Sequence, residues 1–240
     1  MKSTLASLTM LSPHSKGKRS RDVDRITIHC VVGQASAESI GAWFQQPEPR
    51  HSCNYGIGVD GRIVCCLPED QISICSSSFA NDSRAITIEC ASDTKEPYAV
   101  KPAVYASVIR LCADICKRYN KTRVVWLADK AATMDYAAQP RDMIFTVHRW
   151  FANKSCPGDY LYYSLGDIAA KVTKMLQEDK TVYETISEVP IWAQATVQKL
   201  IDRGALLGTG DGLALSVDMT RILVILDRMG VFDNDGNTVD

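Results

Sequence analysis

The chain has 240 residues, 46% of them apolar and 23% charged, and a formal net charge of −1. This composition fits a soluble globular protein with ample material for a core, and it gives no bulk electrostatic case for nucleic acid or an acidic membrane as partner. No apolar run approaches the roughly 18 residues needed to span a bilayer, and nine cysteines without regular spacing do not make a secreted disulfide framework.

The first residues, MKSTLASLTML, carry one lysine and a short apolar patch broken by Ser and Thr. They lack the h-region and cleavage site of a signal peptide. The chain is therefore expected to be made in the cytoplasm and not exported by a signal of its own. Residues 1–24 read as an extended, irregular arm. RITIHCVV (25–32) alternates Ile26, Ile28, Cys30 and Val32 on one face, the period of a strand. His29 points to the other face, either as a hydrogen-bonded polar residue or as a ligand.

SAESIGAWFQ (36–45) predicts a short helix capped by Ser36, with Ile40, Trp43 and Phe44 as its apolar stripe. Gly56, Gly58 and Gly61 formally satisfy GxGxxG, but strand-like residues follow where a dinucleotide loop needs a helix. The Asp-Gly pair between two β-like runs predicts a hairpin instead. RAITIECAS (84–92) is a further strand. KPAVYASVIRLCADICKRYN (101–120) is an amphipathic helix with Val104, Val108, Leu111 and Ile115 on one stripe. Strands follow at 123–129 and from 143 towards 151, then a helix at 161–179. The close pairs Cys112/Cys116 and Cys65/Cys66 read as packing residues. Alternating strands and helices with one hairpin predict an α/β fold, a mixed central sheet flanked by helices.

ITIHC (26–30) returns as ITIEC (86–90), with the same apolar frame around His29 and Glu89. Sharing one sheet, both side chains would face one groove. His148 and Cys156 lie eight apart in TVHRWFANKSCPGDY (146–160). Imidazole and thiolate are good ligands for Zn²⁺, and a catalytic zinc takes three protein ligands and keeps one open position. His29, His148 and Cys156 would supply three. Pattern alone leaves this beside a structural reading, with His148 as a loop residue and Cys156 as a buried thiol.

The stretches RITIHCVVG, SCNYGIGVDGRI, CSSSFANDSRAITIE, LCADICKRY and VHRWFANKSCPGDYL resemble the type 2, zinc-dependent N-acetylmuramoyl-L-alanine amidases. These form the superfamily of phage endolysins and animal peptidoglycan recognition proteins, and the likeness is strongest to the clostridial phage and prophage type. It covers roughly residues 15–177. It implies hydrolysis of the amide between N-acetylmuramic acid and the L-alanine of the stem peptide, with peptidoglycan as the substrate. It also implies zinc on His29, His148 and Cys156, Glu89 as the acid/base residue, and Lys154 as a catalytic lysine beside the metal. There are departures. Cys53 stands where some relatives have a catalytic tyrosine, and ICSSS (74–78) stands where many have a Trp-His-Ala run.

The composition shifts near residue 180. Residues 181–240 hold four basic against nine acidic residues. Domains are expected at 1–179, catalytic, and 184–240, a small helical unit. That unit reads as two helices, PIWAQATVQKLIDRG and SVDMTRILVILDRMG. The second carries a stripe of Met219, Ile222, Leu223, Leu226 and Met229 and a cap at Ser216. So small a core is expected to dock on the first domain or pair with a second copy. Its role reads as wall binding or homodimerisation. Two rivals remain: a non-catalytic peptidoglycan-binding module, and a thiol hydrolase with Cys30 or Cys156 as nucleophile. Action at the bacterial wall would follow release by another agent, such as a phage holin.

Overall fold

The computed structural model describes residues 1–178, 182–210 and 212–233. The last residue of the helix expected at 161–179, Asp211 in the C-terminal loop and the tail of the unit expected at 184–240 lie outside the described residues. The chain divides into two compact units, Met1–Leu176 and Gln177–Asp240.

In the first unit the strands are β1 (Ala6–Thr9), β2 (Arg25–Cys30), β3 (Tyr55–Ile57), β4 (Ile63–Cys65), β5 (Ala85–Cys90), β6 (Arg123–Val125) and β7 (Asp142–Val147). They form one mixed sheet in the order β1-β4-β3-β5-β2-β7-β6. The helices are α1 (Ala37–Phe44), α2 (Phe79–Asp82), α3 (Pro102–Arg118), α4 (Lys130–Asp135) and α5 (Gly158–Glu178). This is the α/β class that the alternating elements predict.

The two faces of the sheet differ in chemistry. On one, Ile26, Ile28, Ile86, Ile88 and Phe145 meet Val104, Val108, Leu111 and Ile115 of α3, all fully buried. Leu161, Leu165, Ile168 and Val172 of α5 complete that core. Both helices repeat apolar residues at i, i+4, i+7 and i+11, which keeps one stripe against the sheet. On the other face the central strands bury threonines. Thr27 and Thr146 hydroxyls are 2.8 Å apart, Asn81 Nδ2 donates to Thr27 Oγ1 at 2.9 Å, and Thr87 donates to Ser73 Oγ at 2.9 Å. A buried polar row is stable only when so satisfied. Beside it α1 packs Ile40 and Phe44 on Val64, Cys53 and Cys66.

The glycines serve this packing. A Cβ on Gly58 would stand 2.4 Å from the main-chain nitrogen of Ala37, and one on Gly56 would stand 2.4 Å from Ile40 Cγ2. β3 and β4 are antiparallel, joined by the turn at Gly61, whose φ is +84°. The GxGxxG spacing is thus a hairpin on which a helix rests.

Several expectations need correction. The amino-terminal arm is not wholly irregular: β1 joins the sheet edge, parallel to β4. Trp43 is not part of the packed stripe of α1; it is 60% exposed. The strand expected at 123–129 ends at Val125, and α2 and α4 are additional short helices.

The second unit contains β8 (Val182–Tyr183), α6 (Ile191–Asp202), β9 (Leu215–Ser216) and α7 (Val217–Arg228). Ser216 caps α7 by accepting from the Met219 N–H at 3.2 Å. The core is Val189, Ala193, Val197, Leu215 and Val224. The face of α7 turned inward is Val217, Thr220 and Val224, while Met219, Ile222 and Met229 are exposed. Of the anticipated stripe Leu223 packs against this core, but the buried face is rotated from the exposed members. Asp227 fixes the angle from α7, accepting from Thr196 Oγ1 at 2.6 Å and Lys199 Nζ at 2.8 Å on α6.

Candidate metal centre

Three neighbouring strands bring the site together at their carboxyl ends, where open α/β sheets bind ligands. His29 is the penultimate residue of β2. Glu89 holds the same place on β5, and the two are direct partners in the parallel ladder. His148 begins a single 3-10 turn, His148–Trp150, immediately after β7. β2 pairs with both β5 and β7, so His29 lies between the other two.

Cys156 arrives from the loop before α5. Arg149 folds that loop back. Its main-chain N–H donates to the Cys156 carbonyl at 3.0 Å, its Nε donates to the Ser155 carbonyl at 3.1 Å, and its guanidinium pairs with Asp159 at 3.0 Å. The thiol is thereby held 3.4 Å from His29 Nδ1. The ligand atoms of His29, His148 and Cys156 all lie within 4.8 Å of one another. Glu89 Oε1 is 3.9 Å from His29 Nδ1.

Burial governs the electrostatics. His29 is 1% exposed, and desolvation, with His148 nearby, lowers its pKa to about 3. It is therefore neutral near pH 7, the form that binds a metal. His148 is lowered too, by desolvation and then by Lys154 and His51. Glu89 is raised by desolvation to about 7, opposed by a hydrogen bond from Cys75. Its Oε2, like His29 Nε2, is buried without a hydrogen-bond partner. Such groups are costly unless something pairs with them.

Two imidazoles and one sulfur are a zinc-type donor set with room for a fourth ligand. The residues therefore fit the metal that the family resemblance implies. His148 Nε2 lies 3.0 Å from Ser77 Oγ, the kind of partner that orients a ligand ring. Lys154 is exposed on the rim of a groove of about 300 Å³ that Glu89, Cys75, Trp43 and His148 also line. A second groove, of about 360 Å³ beside Val31, Gly33 and Ile40, shares Trp43, Phe44 and Glu89 with it.

The family model described as N-acetylmuramoyl-L-alanine amidase matches residues 19–159. The chain belongs to this family. The amidase hydrolyses peptidoglycan at the bond between N-acetylmuramic acid and L-alanine, and the matched span contains His29, Glu89, His148, Lys154 and Cys156. No curated protein sequence matches it. Among solved structures, a mutant endolysin from Bacillus subtilis aligns with a TM-score of 0.50 at 16% identity, covering 69% of this chain and 97% of that one. The catalytic domain of XlyA aligns with a TM-score of 0.50 at 15% identity, covering 69% and 97%. The endolysin amidase LysCS from Clostridium intestinale aligns with a TM-score of 0.49 at 18% identity, covering 69% and 93%. At such identities the first two establish the fold. Among the described residues no helix is long and apolar enough to cross a membrane.

Sequence reasoning missed Cys75, Ser77 and Arg149. The first two fall in the ICSSS run that departs from the family's Trp-His-Ala, and that departure was the available signal.

Proposed function

We propose that His29, His148 and Cys156 hold a zinc ion, that Glu89 is the acid/base residue, and that Lys154 assists from the rim. The observation that carries this reading is the closeness of the three donors beside the His29–Glu89 pair. A zinc ion held there supplies Lewis acidity, lowering the pKa of water and polarising a carbonyl. Glu89, with a pKa of about 7, is poised to accept a proton from the attacking water near neutral pH. It then returns that proton to the departing alanine nitrogen. The Lys154 ammonium faces the charge that develops on the carbonyl oxygen.

We further propose that the chain acts as a phage or prophage endolysin that reaches the wall after release. The C-terminal unit then serves as a wall-binding element or as a contact between two copies. Mass spectrometry of digested walls tests the chemistry. New L-alanine amino termini on intact glycan strands are expected, and they should disappear with a chelator. Binding without cleavage would point to a recognition module.

One observation favours a rival. Cys156 contacts His29 Nδ1 and sits two residues before α5, the setting of an activated thiol. The thiol is instead pushed well above its usual value by a hydrogen bond with Cys30, by burial and by Glu89. That is the wrong direction for a nucleophile and no obstacle for a ligand, because a bound metal deprotonates its thiol.

A further inference from the structure

We propose that Cys75, Glu89 and His29 form a second position for a soft divalent cation, which disables Glu89 when filled. This rests on the metal reading of His29, His148 and Cys156 and adds a site to it. The ligand atoms of His29, Cys75 and Glu89 also lie within 4.8 Å of one another, and the two sets share only His29.

Four observations converge there. Cys75 Sγ is 3.7 Å from Glu89 Oε1, so thiol and carboxylate already face each other. Glu89 Oε2 and His29 Nε2 are buried with no hydrogen-bond partner, and the His29 side chain is 1% exposed. The backbone at Cys75 is fixed, because Asp82 accepts from the N–H groups of Cys75 at 3.1 Å and Ser76 at 3.2 Å. Finally, Cys75 and Glu89 line a groove together with the exposed His51 and Lys154, so a cation can reach them from solvent.

One sulfur, one imidazole and one carboxylate suit Zn²⁺ or Cd²⁺, whereas Mg²⁺ and Ca²⁺ take oxygen donors. Binding displaces to solvent the thiol proton of Cys75, that of Glu89 where it is protonated and, when His29 already holds the first ion through its other ring nitrogen, the remaining imidazole N–H proton. No electron is transferred. A carboxylate bound to a cation no longer accepts a proton, so excess zinc or cadmium inhibits the amidase.

The test is a Cd²⁺ titration of the metal-stripped full chain, read by the ultraviolet thiolate-to-cadmium charge-transfer band. Cys156→Ser should keep a band, supplied by Cys75, and the double variant Cys75→Ser/Cys156→Ser should lose it. No band in Cys156→Ser, or a band that survives in the double variant, overturns the proposal. Cys75→Ser alone should keep a band through Cys156. Its loss there would count against the first metal set instead, so the two failures are distinguishable. Circular dichroism checks that each variant folds, and Cys75→Ala substitutes for a serine variant that does not. In the zinc-loaded amidase, excess zinc should depress the activity of the wild type relative to its own starting value more than that of Cys75→Ser. Equal depression would contradict the site.

Discussion

His29 and Glu89 are register partners on adjacent parallel strands, with Nδ1 and Oε1 3.9 Å apart. Side chains alternate along a strand, so a slip of one residue would turn one of the two into the apolar core. The sheet, rather than a loop, sets the distance between a ligand and its neighbouring base. The echo of ITIHC in ITIEC is this pairing seen in sequence: Ile26 lies beside Ile86, Ile28 beside Ile88 and Cys30 beside Cys90.

Replacing Glu89 by Gln keeps the shape and removes the proton acceptor. The rate of wall hydrolysis should fall about 10²- to 10⁴-fold, the usual worth of positioned proton transfer. Bound metal should remain at the wild-type level. Kinetics with metal analysis on the same preparation would check both, and a variant of near-normal rate would remove Glu89 from the chemistry.

Lys154 is exposed, so Lys154→Ala should leave the melting temperature unchanged. If its ammonium stabilises the oxyanion, kcat should drop about 10²-fold with little change in KM. Lys154→Arg should recover part of that loss. A kcat within twofold of wild type would make the residue a solvated surface lysine.

The Glu89 carboxyl also links stability to pH. Burial raises it from 4.5 to about 7. Between those values the native state retains a proton that the unfolded chain has released, so stability declines as pH rises. The penalty is absent below about pH 4.5 and complete above about pH 7, amounting to about 3 kcal/mol at 1.36 kcal/mol per unit. Metal-free Glu89→Gln should therefore melt higher than metal-free wild type above about pH 7 and equally below about pH 4.5. Thermal unfolding in chelator reads the difference, and identical curves above about pH 7 would refute it.

Gly58→Ala tests the packing of α1. The added methyl meets the main-chain nitrogen of Ala37 at 2.4 Å, which cannot rotate away. A loss of about 1–3 kcal/mol is expected, in the range of overpacked cores. Chemical denaturation measures it, and an unaltered midpoint would show that α1 moves freely.

Much of the fold was legible because period-2 and period-3.6 patterns survive where one face is buried. β2, β5 and α3 are such elements. β1 was not, since a four-residue edge strand with half-exposed alternate residues has little pattern to read. The stripe of α7 misled because apolar residues surround much of that helix, and its packing against α6 and β9 selects Val217, Thr220 and Val224. In the site, histidine, glutamate and cysteine were visible as residue types. Cys75 and Ser77 were not, because a short Ser-rich loop carries no periodicity and gains meaning only once it is folded over His148 and Glu89.

Metal content of purified variants bears most directly on the proposed centre. Mass-spectrometric elemental analysis should find zinc bound to the wild type, to Glu89→Gln and to Cys75→Ser, and lost from His29→Ala and, in the Cys75→Ser background that removes the second position, from His148→Ala and Cys156→Ser. An active wild type without metal, or a Cys75→Ser/Cys156→Ser variant that is inactive yet retains its full zinc, would contradict it.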